Sequence, residues 1–230
     1  MTEVPLNPGD DLYTLHRAAT INYRSELVRK AIHLCSLSIP VIYSFISRST
    51  ALTILIPLTA AFIAVDLSRY SIPAVSRWFY RWFGWLLRRH EQENGRRRLN
   101  GASNVLIAAT LSILIFPKLI AINAFAILII SDTTSALIGR RFGKHRFLGK
   151  SLEGSLAFFV SAMVVVLVAP KVQCLPAEYA IGAVAAAIGA VVEAASIHID
   201  DNLSIPVSIG FTLWALYALA LPALNLTMLP

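Results

Sequence analysis

The sequence predicts an all-α polytopic integral membrane protein with about seven transmembrane helices and one interfacial amphipathic helix. Its composition is the first reason: hydrophobic residues make up 57% of the 230 positions, charged residues only 14%, and the mean hydropathy is +0.67. Soluble domains carry roughly 25% charged residues. The second reason is a series of seven apolar runs, and the third is an imbalance of basic residues between the two sets of loops that the runs define.

The seven runs are each close to the length of about 20 apolar residues that crosses a bilayer as a helix. Backbone groups in the bilayer core find no water and must pair within their own segment, which favours α-helices. The runs cover residues 28–47, 50–68, 102–117, 119–138, 154–170, 178–196 and 203–222. We therefore expect a polar N-terminal tail, 1–24, without the pattern of a cleaved signal peptide, and a single membrane domain, 25–225.

Residues 71–90, SIPAVSRWFYRWFGWLLRRH, have a different character from the seven runs. Arg77, Arg81 and Arg88 recur near one helical face, and Trp and Phe residues fill much of the remainder. This pattern is typical of a helix that lies in the headgroup layer, and the alternative is an eighth span. The interfacial interpretation makes 69–100 one basic loop on a single side of the membrane.

Basic residues orient the chain. If 71–90 does not cross, 17 of the 20 Lys and Arg residues lie on one side, and the positive-inside rule makes that side cytoplasmic. We therefore expect a cytoplasmic N-terminus and cytoplasmic loops at 69–100 and 139–153, in a bacterial inner membrane or its equivalent. The bilayer is the expected partner, and no nucleic acid is expected.

Polar residues from five separate stretches lie at this same predicted face of the membrane. In the first of them, Glu26, Arg29, Lys30 and His33 are spaced i, i+3, i+4 and i+7, which places them on one stripe of a helix. Ionisable groups at or inside a span are costly and point to function. For His33 alone, a packing role and a catalytic role both remain open.

Asp132 is the least expected polar residue, because it lies within the run AFAILIISDTTSALIG. Its carboxylate is a hard oxygen ligand of the kind that Mg²⁺ prefers, and Mg²⁺ typically binds proteins through one or two carboxylates plus substrate phosphates. Late in the chain, Glu193 falls on a helical stripe with Asp200 and Asp201. The sequence therefore predicts a magnesium site at Asp132.

The stretch GKHRFLGKSLEGS, 143–155, looks like a phosphate-binding loop but does not have its spacing. That loop needs four residues between its first Gly and the Gly-Lys-Ser/Thr, after a strand, whereas Gly143 and Gly149 enclose five and follow an apolar run. Lys150 and Ser151 nevertheless open the next predicted helix, whose free N–H groups and dipole favour an anion. Glu153 lies in the first turn, where capping of the helix and metal binding are both open. A carboxylate, a lysine and a helix N-terminus together suggest transfer chemistry on a nucleotide.

Three stretches, ELVRKAIH, SDTTSALIGRRFGKHRFLGKSLEGS and DDNLSIP, resemble the polyprenol kinase family, which includes dolichol kinases, phytol kinases and CTP-dependent diacylglycerol kinases. The resemblance extends from about residue 25 to 222. Its middle motif is shared with the distantly related CDP-diacylglycerol synthases. The late Lys-Asp pair and Pro-Gly-His-Gly-Gly run of those synthases do not occur here, and DDNLSIP stands in their place.

The resemblance implies a membrane enzyme that transfers the γ-phosphate of CTP to the hydroxyl of a lipid alcohol, with Mg²⁺. The alcohol is an isoprenoid or a diacylglycerol. Asp132 is then expected to bind metal, with Asp201 and Glu153 as partners, and His33 or Glu26 to orient or deprotonate the hydroxyl. The expected phosphate ligands are Arg29, Lys30, Gly149, Lys150, Ser151 and Asn202.

Two other functions remain open at this point. The first is a phosphatidate cytidylyltransferase, in which CTP loses pyrophosphate and the cytidylyl group is kept. The second is a membrane transporter or lipid-binding scaffold without enzymatic activity. Against this second function, the polar residues collect at one face rather than near the midplane, where secondary transporters bind their substrates. The sequence pattern does not indicate which alcohol is used or the oligomeric state.

Overall fold

The computed structural model describes residues 23–84, 99–195 and 200–227, so the predicted tail 1–24 lies almost wholly outside the described residues. The described chain is mainly helical. In chain order its helices are α1 (Tyr23–Cys35), α2 (Ser38–Phe45), α3 (Arg48–Ser68), α4 (Pro73–Phe83), α5 (Gly101–Ile115), α6 (Lys118–Phe142), α7 (Leu152–Val168), α8 (Pro176–Ala195) and α9 (Asp201–Ala220). Two short antiparallel strands, β1 (Arg146–Phe147) and β2 (Lys150–Ser151), lie between α6 and α7.

Four of these helices, α3, α6, α8 and α9, are long and apolar enough to cross a membrane, and α5 and α7 are shorter apolar helices. This agrees with an all-α integral membrane protein. The count of seven spans stays a prediction, because α5 and α7 fall short of full spanning length and the first run has a different form.

The first run, 28–47, is not one helix. It consists of α1 and α2, which a turn at Ser36 and Leu37 separates. Pro40 supplies the reason, because it has no N–H to donate to the carbonyl of Ser36, which instead accepts from Ile39 at 3.0 Å. Pro40 itself lies in the first turn of α2, where a missing N–H is tolerated.

Helix α6 forms the centre of the fold, and its residues from Leu119 to Ile129 are all buried. It packs against α1, α2, α5, α7 and α9. Close helix approach depends on small residues, as is common in membranes. A side chain at Gly210 of α9, for example, would lie 2.3 Å from the ring of Phe116.

Helix ends gather the polar residues at one end of the bundle. Helices α5, α7 and α9 begin there, with side-chain caps from Asn100, Ser151 and Asp200. Helices α3, α6 and α8 end there: the N–H of Asn100 donates to Asp66 Oδ2 near the end of α3 at 2.6 Å, and the N–H of Gly149 donates to the carbonyl of Ala194 in α8 at 2.9 Å. The predicted convergence of polar stretches is therefore found among the described residues.

Helix α4 contacts this same end through Arg69, which also belongs to a buried ion pair at the end of α3. Arg69 Nε lies 3.0 Å from Asp66 Oδ1, and its guanidinium stacks on the ring of Phe79 of α4 at 4.8 Å. The eleven residues of α4 are about 16 Å long, roughly half of the hydrocarbon core. Residues 85–90 lie outside the described residues, so the interfacial position of 71–90 stays a prediction.

Candidate active site

Lys30 and Asp132 form a buried ion pair at the polar end of the bundle. Lys30 Nζ of α1 donates to Asp132 Oδ2 of α6 at 2.6 Å and to the Asp132 carbonyl at 3.1 Å. The two side chains are only 5% and 11% exposed. His33, one turn further along α1, places Nε2 at 3.4 Å from the same Oδ2. The predicted stripe on the first helix therefore meets Asp132 through Lys30 and His33, whereas the side chain of Glu26 is outside the described part.

Lys150 forms a second cluster with two carboxylates. Its Nζ donates to Glu193 Oε1 at 2.7 Å and to Asp201 Oδ2 at 2.8 Å. The Ser135 hydroxyl also donates to Glu193 Oε1, at 2.7 Å. Burial alone lowers the pKa of an ammonium, but the charges of Asp201 and Glu193 outweigh it, so the pKa of Lys150 is raised. Lys150 is therefore a fixed cation that links β2, α8 and α9.

The two clusters are neighbours on one face of α6. Asp132 and Ser135 are three residues apart, which places both side chains on the same side of the helix. Asp132 contacts Lys30 and Ser135 contacts Glu193, so α6 carries both clusters. Together they bring three carboxylates and two ammonium groups to neighbouring positions, where each carboxylate contacts a lysine but one negative charge is left over.

The strap from Gly143 to Ser151, which contains β1 and β2, holds Lys150 in place. Leu148 takes a positive φ of 51° between the strands. The strap approaches α6 closely, since a side chain at Gly139 would lie 2.9 Å from Ser151 Oγ. Small residues at these positions allow Lys150 to reach Glu193 and Asp201.

The start of α7 has internal partners for its N–H groups. The N–H of Leu152 donates to the His145 carbonyl at 2.9 Å, and Ser151 Oγ accepts from the N–H of Gly154 at 3.2 Å. The expected anion site at this helix start would therefore depend on nearby cationic side chains more than on backbone N–H groups. Gly149 and Ser151 build the strap, and their role as phosphate ligands stays a prediction.

Glu153 does not join the other carboxylates. Its carboxylate accepts from the backbone N–H of His145 at 3.2 Å and lies 2.8 Å from Nδ1 of the His145 ring, at the exposed side of the strap. Of the two roles left open by the sequence, this geometry favours holding the loop and helix start. Among the described residues, no three His, Cys, Asp or Glu side chains are grouped to hold a metal ion.

Asn202 lies at the start of α9, beside the site. Its side-chain amide donates to Asp200 Oδ1 at 2.7 Å, and its backbone N–H donates to the same oxygen at 3.0 Å. Asp200 thus caps the helix and orients Asn202, and both line a cavity next to Lys30 and His33.

This cavity has a volume of about 670 Å³ and is lined by the Lys30–Asp132 pair together with many apolar residues. Arg29, His33 and Asp200 add further charged or titratable groups to its lining. Its apolar wall includes Leu58, Ala61, Phe62 and Val65 of α3, Trp78, Phe79 and Phe83 of α4, and Val105 and Leu106 of α5. One continuous space therefore contacts both the charged cluster and an apolar surface.

Sequence patterns did not identify several residues of this site. Glu193 was visible as part of a late carboxylate stripe, but its bond to Lys150, 43 positions away, has no signal in the spacing. Ser135 lies in the same segment as Asp132 and only the helical spacing of three could have paired them. The sequence pattern predicts that the aromatic residues of α4 lie at the membrane surface, and the structure adds that Trp78, Phe79 and Phe83 line the cavity.

Comparisons with known proteins identify three relatives. An uncharacterized protein of Rickettsia prowazekii is 31% identical over 191 residues, 82% of this chain and 93% of that protein. An uncharacterized protein of Methanocaldococcus jannaschii is 33% identical over 146 residues, 62% of this chain and 68% of that protein. CTP-dependent diacylglycerol kinase 1 of Schizosaccharomyces pombe is 35% identical over 98 residues, 41% of this chain and 43% of that kinase. No protein-family model and no solved structure matches the chain.

Proposed function

We propose that this chain, which belongs to one protein family with its Rickettsia prowazekii and Methanocaldococcus jannaschii relatives, is a membrane lipid kinase. The observation that carries this proposal is the cavity, because it joins a charged cluster of Lys30, His33 and Asp132 to an apolar wall. A lipid alcohol has the same division, with a polar hydroxyl on an apolar tail. The partial similarity to a CTP-dependent diacylglycerol kinase supports the reaction type.

The apolar wall of the cavity suits one leaflet of a bilayer. Its deepest residue on α3 is Leu58, ten residues before the helix ends at Ser68. Ten residues of helix span about 15 Å, roughly half of a 30 Å hydrocarbon core. A lipid alcohol in the same leaflet would therefore place its hydroxyl near Lys30 and its tail along α3.

The volume of the cavity is suited to a single tail. Pockets for small ligands enclose about 300–1,000 Å³, and 670 Å³ lies within that range. The tail of one isoprenoid alcohol would fit inside. The second tail of a diacylglycerol would remain in the bilayer, beside the exposed side chains of Leu58 and Phe62.

Cations on two sides of the site would bind the phosphates of the nucleotide. Lys30 and Arg29 line the cavity, and Lys150 reaches the site from the strap. Phosphoryl transfer depends mainly on positioning and charge neutralisation, which such cations provide. The preference for CTP rests on the family resemblance and on the similarity to the Schizosaccharomyces pombe kinase.

The acidic residues of the site fit a bound Mg²⁺. Asp132 and Asp201 offer carboxylate oxygens, the ligand type that Mg²⁺ prefers, and Glu193 Oε2 is buried without a hydrogen-bond partner in the described structure. Asp132 and Asp201 are the residues that would hold the ion, and the position of Glu153 beside His145 separates it from them. When bound, Mg²⁺ would neutralise charge on the phosphates of the nucleotide.

The proposed step is a direct transfer. The hydroxyl oxygen of the lipid forms a bond to the γ-phosphorus, the bond from that phosphorus to the β–γ bridging oxygen breaks, and the hydroxyl proton passes to a base. His33 lines the cavity and lies 3.4 Å from Asp132, so it is placed to orient the hydroxyl or accept its proton. Glu26 remains the alternative base. The products are a lipid monophosphate and a nucleoside diphosphate.

Labelled nucleotides test this function. The purified protein is incubated in lipid nanodiscs with Mg²⁺, a panel of isoprenoid alcohols and diacylglycerol, and CTP or ATP that carries the label on either the α- or the γ-phosphate. A lipid kinase transfers the γ-label to the lipid and leaves the α-label in the nucleoside diphosphate. Transfer of the α-label to lipid, with release of pyrophosphate, would show a cytidylyltransferase. Absence of transfer with every lipid would favour a transporter or scaffold.

A further inference from the structure

The two oxygens of the Glu193 carboxylate differ in their hydrogen bonds. Its side chain is only 2% exposed, and Oε1 accepts two hydrogen bonds, from Lys150 Nζ and Ser135 Oγ, both at 2.7 Å. The other oxygen, Oε2, is buried and has no hydrogen-bond partner in the described structure. A buried charged oxygen without a partner is costly, and such an atom in a native structure calls for an explanation such as a bound ion or water.

Asp201 shares the Lys150 ammonium with Glu193. Its Oδ2 accepts from the same Nζ of Lys150 at 2.8 Å, so one ammonium group is within hydrogen-bond distance of both carboxylates. The position of the ammonium is therefore one from which a single cation contacts Glu193 and Asp201 together. The Ser135 hydroxyl is a third oxygen at the same place.

Two carboxylates and a hydroxyl suit a divalent cation better than a single ammonium group. Two carboxylates carry two negative charges, and Lys150 neutralises one of them. Carboxylate and hydroxyl oxygens are hard ligands, the type that Mg²⁺ and Mn²⁺ prefer. A divalent ion would match the charge of the pair and could also contact Oε2, which the ammonium leaves without a partner.

We propose that Glu193, Asp201 and Ser135 form a second cation site, which shares Asp201 with the expected Mg²⁺ site at Asp132, and that the Lys150 ammonium occupies this second site when no divalent ion is bound. Entry of the ion displaces Lys150 from the carboxylates and turns it toward the phosphates of the nucleotide. This second part rests on the proposed kinase function. It explains how a lysine held by two carboxylates becomes a phosphate ligand.

Two predictions about binding follow from the exchange. The ammonium and a divalent ion compete for the same oxygens, so the metal alone binds weakly to the wild-type protein. Removal of the ammonium leaves two neighbouring carboxylates unbalanced and strengthens metal binding. Lys144, on the same strap, is exposed and forms no ion pair with Glu193 or Asp201 in the described structure, so its removal leaves metal binding unchanged.

The test measures Mn²⁺ binding by electron paramagnetic resonance in nanodiscs of neutral lipid, without nucleotide or lipid alcohol. We expect Lys150→Met to bind Mn²⁺ at least about tenfold more tightly than wild type or Lys144→Met, which corresponds to about 1.4 kcal/mol. Adding Glu193→Gln to Lys150→Met should remove the gain. Equal affinities of Lys150→Met and Lys144→Met, or a gain that survives Glu193→Gln, would overturn the proposal.

If Lys150→Met is too unstable for the binding measurement, its thermal unfolding provides a second test. The exchange predicts that MgCl₂ raises the Tm of Lys150→Met more than that of Lys144→Met, relative to NaCl of the same ionic strength. Equal rises would also overturn the proposal. This test is independent of the kinase assay. If the protein phosphorylates lipid but Lys150→Met shows no gain in Mn²⁺ affinity, only the proposed cation site is refuted. If Lys150→Met gains Mn²⁺ affinity but the protein phosphorylates no lipid, the cation site stands and the proposed kinase function is refuted.

Discussion

Replacement of Asp132 by Asn tests whether the central ion pair serves catalysis or only the fold. Asp132 Oδ2 lies 2.6 Å from Lys30 Nζ, and both side chains are almost fully buried. Asn keeps the shape of the side chain and an oxygen that accepts from Lys30, but it loses the negative charge. The variant therefore leaves a buried ammonium without a counter-charge, and it removes a carboxylate that is expected to hold a metal ion.

The cost in stability follows from the geometry. At 2.6 Å two unit charges attract by about 6 kcal/mol at an effective dielectric constant of about 20. Desolvation offsets most of this, and removal of one partner of a buried pair costs about 3–5 kcal/mol. Because Asn still accepts a hydrogen bond, we expect a loss of unfolding free energy near the lower value, about 3 kcal/mol. Denaturant unfolding in mixed micelles measures it.

The double variant Lys30→Met/Asp132→Asn separates stability from turnover. Replacing a whole buried pair is often nearly neutral for stability, so the double variant should recover most of the unfolding free energy. We expect turnover by Asp132→Asn to fall by at least about 100-fold, the scale of one lost charge-stabilising group, and not to return in the double variant. Recovery of turnover together with stability would mean that the pair only holds α1 on α6.

Three further predictions concern the tail cavity, Glu153 and the orientation. Ala61→Trp fills the cavity and should raise the KM for a 20-carbon alcohol by about tenfold, which is the scale of one misfit in a binding pocket. The control variant Ile56→Trp on the same helix should leave this KM unchanged. Equal effects of the two variants would mean that the tail binds elsewhere. Glu153→Gln should leave the Mg²⁺ concentration for half-maximal activity unchanged, because Glu153 contacts His145, and a large increase would return it to the metal site. Cysteines placed at Gly95 and His145, in a background without native cysteines, should react from the same side of the membrane; labelling from opposite sides would refute the predicted orientation.

Periodic features of the fold could be predicted from the sequence. Apolar runs marked the long helices, and the polar stretches at their ends marked the site, because both depend on local spacing. The hydropathy pattern predicts one helix over 28–47 and does not predict the break between α1 and α2, although Pro40 lies in this run. Hydropathy counts apolar residues and does not register the hydrogen bond that a proline removes.

Contacts between distant segments could not be predicted in this way. Asp132 was recognisable because a carboxylate in an apolar run is conspicuous, but its pairing with Lys30 depends on how α1 lies against α6. The partners of Lys150 likewise depend on how distant segments pack. The sequence pattern predicts phosphate binding by Lys150, and in the structure its ammonium contacts Glu193 and Asp201. Packing of α4 against α3 places aromatic side chains in the cavity wall, which an amphipathic pattern alone does not indicate.

The central claim is that one cavity brings a lipid hydroxyl to the Lys30–Asp132 pair. Photocrosslinking tests it most directly: an isoprenoid alcohol with a diazirine in the middle of its tail is bound in nanodiscs, irradiated and mapped by mass spectrometry. We predict labelling of α3 at Leu58 and Phe62 that an excess of unlabelled alcohol suppresses, while background labelling at the exposed Ile56 persists. Labelling of Leu58, Phe62 and Ile56 to the same extent, with no suppression by competitor, would contradict the claim.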